Sequence, residues 1–236
     1  MRKIKIQFPD HHAYSVFPEK REHLPQAISE LDLKDGFPVI VLVGGYIPQQ
    51  YEEATQMAIQ SIATFAEKYQ ILVICGGTEV GIMGSIGQTR LGNGYRFPLL
   101  GITLEKLACW PGGPQPKQFL WWRHDRWPLS TGYSHFILAP GKEFGEDSPW
   151  LVEAARYLSR GNKSVTILAN GGGVARKDVM LSLESGRPVI VLAGTGRLAD
   201  SMAEDAEKPD LVTIVQGADE LALGGALQNH LRSQRW

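Results

Sequence analysis

Two hydrophobic patterns alternate along the chain: short unbroken apolar runs that stop at glycine, and longer stretches with apolar residues three and four apart. Residues 38–43 read PVIVLV and end at Gly44-Gly45, as a parallel strand buried on both faces would. Ala54, Met57, Ala58, Ile62, Phe65 and Ala66 then predict an amphipathic helix over about 50–68. The rhythm repeats as a strand over 71–75 ending at Gly76-Gly77, a helix over about 83–91 and a strand over 99–102. After a segment of little periodicity it resumes with a strand over 135–139, a helix over about 149–159 and a strand over 164–169 that runs into Asn170-Gly171-Gly172-Gly173. A helix near 177–183, a strand over 188–193 ending at Gly194-Thr195-Gly196, helical residues after Arg197, a strand over 211–215 and a helix over 218–231 complete the pattern. Strands alternating with helices require crossover connections. The predicted fold is therefore α/β, Rossmann-like and doubly wound, a mainly parallel sheet with helices on both faces.

The alternation is read as one domain over 1–236, with an N-terminal extension (1–36) and an insertion (103–132). In the extension, residues 3–8 alternate polar and apolar as an edge strand does, and the signal up to Asp35 is weak. The composition, 43% hydrophobic and 21% charged, suits a globular core. Lys and Arg number 24 against 25 Asp and Glu, a net charge of -1, so no global basic field exists to hold nucleic acid or an anionic membrane. No apolar run reaches the roughly 18 residues of a membrane span, and the opening MRKIKIQFPD has no signal-like apolar core, so a cytoplasmic location is expected. Cys75 and Cys109 are too few for a disulfide framework or a four-thiolate zinc site and are expected to be reduced.

Glycine placement changes the picture most. Gly44-Gly45, Gly76-Gly77, Gly171 to Gly173, and Gly194 with Gly196 each follow a predicted strand, at the sheet edge where open parallel sheets hold their ligands. Glycine there lets backbone N–H groups approach a ligand, and the helix that follows adds a partial positive end, so phosphate is the natural partner. Tight turns alone would explain any single cluster; four on one edge favour a nucleotide-type ligand. No Gly-Lys-Ser/Thr completes a Walker loop, and no Gly-x-Gly-x-x-Gly opens the first unit, which weighs against kinase, ATPase and ordinary dehydrogenase chemistry.

The stretches Gly76-Gly77-Thr78-Glu79-Val80-Gly81-Ile82-Met83-Gly84, Ser134 to Leu138, and Gly194-Thr195-Gly196-Arg197-Leu198-Ala199-Asp200 carry a resemblance to the SLOG superfamily over about 38–220. That superfamily includes the phosphoribohydrolases, the DNA-processing SMF proteins and the N-terminal region of melastatin-type TRP channels; the chain looks closest to the prokaryotic LSDAT branch. The resemblance to the channel domains implies recognition of an adenine nucleotide derivative, ADP-ribose first among them, with no obligatory cofactor. Carried over by motif, Gly76, Gly77 and Thr78 would meet a phosphate, Phe144 would be an aromatic ligand contact and Arg197 a phosphate-binding arginine. Gly44, Gly45, Tyr46, Glu79, Asn170, Gly171, Gly172, Gly173, Gly194, Thr195 and Gly196 complete the expected ligand-binding set. A second arginine expected after Phe144 is replaced by Trp150-Leu151. The hydrolases of the superfamily carry Pro-Gly-Gly-x-Gly-Thr-x-x-Glu; here Asn170 to Asp178 stands in its place, its final acid one methylene shorter. Cleaving an N-glycosidic bond needs a carboxylate held against the ribose, so the departure favours binding over hydrolysis, with no catalytic residue assigned.

Individual residues refine this reading. An arginine at the start of a helix opposes the dipole, so Arg197 suggests an anion shared with the helix N–H groups rather than a solvated side chain. Glu79 is either a cap for the following helix or a ribose hydroxyl ligand. Capping accounts for Asp147 or Ser148; Glu143 and Glu146 could reach ribose hydroxyls or a cation, but no His or Cys stands at metal-ligand spacing nearby, and no metal is expected. His11, His12, His124 and His135 form no triad. Trp110, Trp121, Trp122 and Trp127 in the insertion are either a lid that stacks on a base or a contact between two subunits, with the subunit contact slightly preferred. The expected partner is a small-molecule nucleotide, with a homo-oligomer through the Trp-rich segment as a further expectation.

Overall fold

The computed structural model describes residues 1–120, 123–160, 162–205, 207 and 209–231. Its strands are β1 (Arg2–Gln7), β2 (His12–Phe17), β3 (Val39–Gly44), β4 (Leu72–Cys75), β5 (Leu99–Leu104), β6 (Ala108–Cys109), β7 (Gln118–Leu120), β8 (Arg123–His124), β9 (Trp127–Pro128), β10 (His135–Ala139), β11 (Ser164–Ala169), β12 (Val189–Ala193) and β13 (Val212–Gln216). The helices are α1 (Leu24–Glu30), α2 (Glu52–Tyr69), α3 (Gly81–Gly92), α4 (Ser148–Leu158), α5 (Gly173–Glu184), α6 (Arg197–Glu204) and α7 (Glu220–Leu231). Nine strands form one sheet in the order β1-β2-β10-β5-β4-β3-β11-β12-β13. Every pairing in it is parallel except the β1–β2 hairpin, which runs antiparallel from Arg2↔Phe17 to Gln7↔His12.

Strand alternation explains the unbroken apolar runs. In β3, Ile40 and Leu42 enter one core with Ile59 and Ile62 of α2, Ile82 and Ile86 of α3 and Leu223 and Leu227 of α7. Val39, Val41 and Val43 enter the other core with Ile28 of α1, Trp150 and Leu151 of α4, Val179 of α5 and Leu198 of α6. Both faces of the sheet are thus covered, and a solvent-facing polar alternation has no place in the central strands. Among the described residues no helix is long and apolar enough to cross a membrane.

The chain winds outward from β3 through β4, β5 and β10, then returns to the other side of β3 for β11, β12 and β13. The direction of winding therefore reverses between β3 and β11, and the carboxyl ends of these two strands open a crevice. The extension is wider than the edge strand read at residues 3–8: β2 pairs with β10, with Ile137 opposite Val16, and joins the hairpin to the main sheet. The helix α1 packs Leu24, Ala27 and Ile28 into the core beneath it.

The insertion is anchored at both ends. Trp110 is buried, its ring 5.8 Å from that of Phe17. The Arg126 Nη1 donates to the Glu105 and Ala108 carbonyls at 3.1 and 2.9 Å. On the return, Glu79 N–H donates to the Pro128 carbonyl and Ser130 N–H to that of Gly77, so the stretch 127–130 lies along the turn after β4. That pairing carries Trp127 to the crevice. Trp110 belongs to the core and Trp127 to the site described next, while Trp121 and Trp122 lie outside the described residues.

Candidate functional site

A cavity of about 280 Å³ opens at the carboxyl ends of β3, β4 and β5. Leu42, Val43, Val80, Met83, Leu151 and Val174 give it apolar walls, Gly44, Gly45 and Gly76 a backbone floor, and Thr78 and Thr103 hydroxyl groups. Exposed Tyr46 and Phe144 flank the mouth. Trp127 meets Phe144 edge to face there, with ring centroids 4.8 Å apart at 75°. This places Trp127 at the cavity mouth, where a lid would lie.

The glycines divide by what they do. A Cβ on Gly44 would stand 2.1 Å from the Ala169 carbonyl oxygen, so this glycine lets β3 and β11 close up at the switch point. Gly77 has φ +84, and its Cβ direction meets Gly101 Cα at 2.9 Å and the Phe136 ring; it packs into the sheet and does not line the cavity. Gly196 is covered by the Tyr51 ring, and Gly194 N–H donates to Asp200 Oδ1 at 2.7 Å. Gly171 packs on Ala175 and Leu168. Gly173 opens α5, with open space beside it, and the first N–H groups of that helix have no intrahelical partner.

Asn170 and Thr195 are fully buried and hold each other. Asn170 N–H donates to Thr195 Oγ1, Asn170 Nδ2 donates to the Thr195 carbonyl, both at 2.8 Å, and Asn170 Oδ1 accepts from Gly171 N–H at 2.7 Å. These bonds lock the loop after β11 to the loop after β12 and give both side chains a structural role. Thr195→Val should leave the buried Asn170 N–H unpaired and destabilise the fold by about 1–3 kcal/mol, measured by urea denaturation.

Arg197 has φ +52, a left-handed conformation that costs a side-chain-bearing residue about 1–2 kcal/mol. Its guanidinium lies over the crevice: a Cβ on Gly172 would sit 2.6 Å from Nη2, and one on Gly45 3.7 Å from Nη1. The side chain is exposed and has no hydrogen-bond or ion-pair partner among the described residues. Two N–H groups of its own helix are already engaged, Leu198 N–H donating to the Gly171 carbonyl and Ala199 N–H to that of Asn170. The open helix end beside this guanidinium is that of α5.

The acids sort in the same way. Glu79 accepts from Gln88 Nε2 and does not line the cavity. Glu146 Oε1 accepts the N–H groups of Lys142 and Glu143 and shapes the loop that carries Phe144. Asp147 and Asp178 both reach the cavity. Of the two candidates for capping α4, Asp147 or Ser148, Asp147 stands at the N-cap position, but its Oδ1 accepts from Gly145 N–H at 2.9 Å and makes no cap bond to the helix. Burial pushes its carboxyl above the usual range, with the Gly145 bond opposing the rise. Asp178 Oδ1 is buried without a partner. Burial pushes the Asp178 carboxyl up to about 7; the neighbouring Ser148 hydroxyl opposes the rise, Asp147 adds to it and Lys177 opposes it. Cys75 also lines the cavity, but burial raises its thiol to about 11 and keeps it neutral rather than nucleophilic. Among the described residues no three His, Cys, Asp or Glu side chains gather as a metal site requires.

Besides the apolar wall residues, Cys75, Thr103, Trp127, Asp147 and Asp178 line the cavity and are missing from the set expected from sequence. Val174 and Asp178, four residues apart, share a face once α5 starts at Gly173, a signal that a helix read from about 177 does not carry.

Fold and crevice together define a doubly wound α/β domain with a cavity at its topological switch point. The family model described as "SLOG in TRPM, prokaryote" matches residues 37–228, and the chain belongs to that family. Its fold is shared by solved structures of low sequence identity. The X-ray structure of TM1055 is 20% identical, with a TM-score of 0.56 over 82% of this chain and 98% of that one. The molybdenum cofactor binding protein from the phototrophic bacterium Rippkaea orientalis is 15% identical, with a TM-score of 0.52 over 80% of this chain and 94% of that one. No curated protein matches the sequence.

Proposed function

We propose that the crevice binds a nucleotide-derived ligand, ADP-ribose or a related adenine nucleotide, and that the protein is a sensor or carrier of that ligand with no obligatory cofactor. The observation that carries this reading is the unpaired Arg197 guanidinium poised over Gly45 and Gly172, beside the open N-terminus of α5 and next to an apolar cavity. A free cation and unpaired helix N–H groups suit a phosphate. An apolar slot edged by Trp127, Phe144 and Tyr46 suits a base, through stacking against rings that already meet at the mouth.

Calorimetric titration of the purified protein with ADP-ribose, AMP, adenosine and, as suggested by the name of the Rippkaea orientalis neighbour, molybdenum cofactor tests the reading. Saturable binding of the two nucleotides well above that of adenosine supports it; binding of molybdenum cofactor alone overturns the adenine assignment. Trp127→Ala and Phe144→Ala should each weaken the nucleotide by about tenfold, and adenosine by a similar factor, since one stacked ring is worth roughly 1–3 kcal/mol per base.

Asp178 favours a second reading, a hydrolase of the phosphoribohydrolase type. A carboxyl that titrates near neutrality beside a second buried acid is a common arrangement for proton transfer. In that reaction water adds to the anomeric carbon, the glycosidic bond breaks and the base leaves with a proton. Incubation with AMP and ADP-ribose, followed by assay for free base and ribose phosphate, separates enzyme from binder.

A further inference from the structure

We propose that a second cavity, at the amino-terminal edge of the sheet and away from the crevice, is a binding site for a phosphate group. It measures about 410 Å³ and lies among the end of α4, the start of β11, the turn between α5 and β12, and α7. Arg156, Lys163, Arg187 and His230 contribute to its wall, together with the hydroxyl-bearing Ser159 and Ser185, and no acidic side chain lines it.

Arg187 is the observation that separates this cavity from an ordinary basic surface. Its side chain is 96% buried, at 4% exposure. Nε donates to Ser164 Oγ at 3.1 Å, Nη2 donates to the Val152 carbonyl at 3.0 Å, and Nη1 is buried with no partner. No carboxylate pairs with it among the described residues. Burial alone brings its pKa down to about 10, so the group remains a cation at neutral pH. A buried charge without a counter-charge is costly, and a native fold normally supplies one from protein or ligand.

The neighbouring groups compound the cost. Lys163 and Arg156 are exposed and have no ion-pair partner among the described residues. The positive charge of Lys163, together with burial as the larger cause, holds His230 below its usual pKa. His230 Nε2 is engaged with Thr213 Oγ1 at 3.0 Å. Cations from α4, the α4–β11 loop and the α5–β12 turn line one cavity. That arrangement, with serine hydroxyls between them, suits the tetrahedral oxygens of a phosphate better than a flat carboxylate. The volume leaves room for a sugar attached to it.

The test is a titration of the full chain with inorganic phosphate and, separately, ribose 5-phosphate, read by NMR from the His230 imidazole and the Arg187 side-chain resonances. Acetate at matched ionic strength is the carboxylate control. The expected result is a saturable shift at millimolar concentrations or below, weakened about tenfold in Lys163→Gln and in Arg156→Gln, and unchanged in Arg197→Ala, which alters only the crevice. Tighter binding of ribose 5-phosphate than of inorganic phosphate assigns the site to a sugar phosphate; equal binding assigns it to the free ion. Both lysine and arginine variants change exposed side chains, so the test does not depend on replacing buried Arg187. No saturable shift up to roughly 20 mM, binding in both variants as tight as in the parent, or an equal response to acetate would overturn the proposal.

Discussion

Arg197→Ala is expected to weaken ADP-ribose or AMP by about 10- to 100-fold while leaving adenosine almost unaffected. A charge-assisted hydrogen bond to phosphate is worth roughly 1.5–3 kcal/mol, and 1.4 kcal/mol is a factor of ten. The guanidinium has no internal partner to lose among the described residues, so the measured difference reports on the ligand rather than on a broken network. Arg197→Lys should recover part of the loss, because an ammonium supplies the charge without the two-pronged donor. The backbone at this residue gives an independent check. With φ +52, Arg197→Gly relieves the left-handed strain and should leave the stability unchanged or up to about 1 kcal/mol higher, even as nucleotide affinity falls. Equal losses for nucleotide and nucleoside in Arg197→Ala, measured by calorimetry, would show that the residue shapes the pocket rather than binding phosphate.

The central strands were legible because burial on both faces leaves an unbroken apolar run. Residues 135–139 and 164–169 were bounded from sequence as the structure has them. The second strand of the extension was not legible. His12–Phe17 is six residues long, and its partners Arg2–Gln7 and His135–Ile137 include a strand more than 100 residues away. Only seven residues form α1, with proline in its first turn, too short a helix for periodicity to stand out.

In the site, the strand-end glycines marked the correct sheet edge, but their individual roles depend on neighbours that no local pattern reveals. Gly77 faces Phe136, 59 residues on, and Asn170 is occupied by Thr195. The poor helix propensity of glycine also displaced the expected start of α5 from Gly173 to about residue 177. With the first turn missing, Val174 and Asp178 could not be placed on one face, and Asp178 was weighed as a shortened acid in a motif rather than as part of a cavity wall. Trp127 reached the mouth through main-chain pairing between residues 127–130 and the turn after β4, a contact set by tertiary structure alone.

Asp178 ties the stability of the fold to the chemistry of the cavity, and Asp178→Asn should expose that link. In the unfolded chain an aspartate titrates near 3.8, whereas in the folded protein burial carries Asp178 to about 7. Between those values the native state holds more protons than the unfolded state, so unfolding free energy falls as pH rises from about 4 to 7 and stays low above it. Each unit of displacement corresponds to 1.36 kcal/mol, which puts the cost of ionising the folded carboxyl at as much as about 4 kcal/mol. Asp178→Asn cannot ionise and is expected to be more stable than the parent by up to that amount at pH 8, with little difference near pH 4. Urea denaturation across this range measures the divergence; curves that stay parallel would show that Asp178 has an ordinary carboxyl. The same variant separates the two functional readings, because a binder can keep much of its nucleotide affinity with a neutral amide at 178. A glycosidic hydrolase that moves a proton through this carboxyl instead loses base release with the acid, even as its fold becomes more stable.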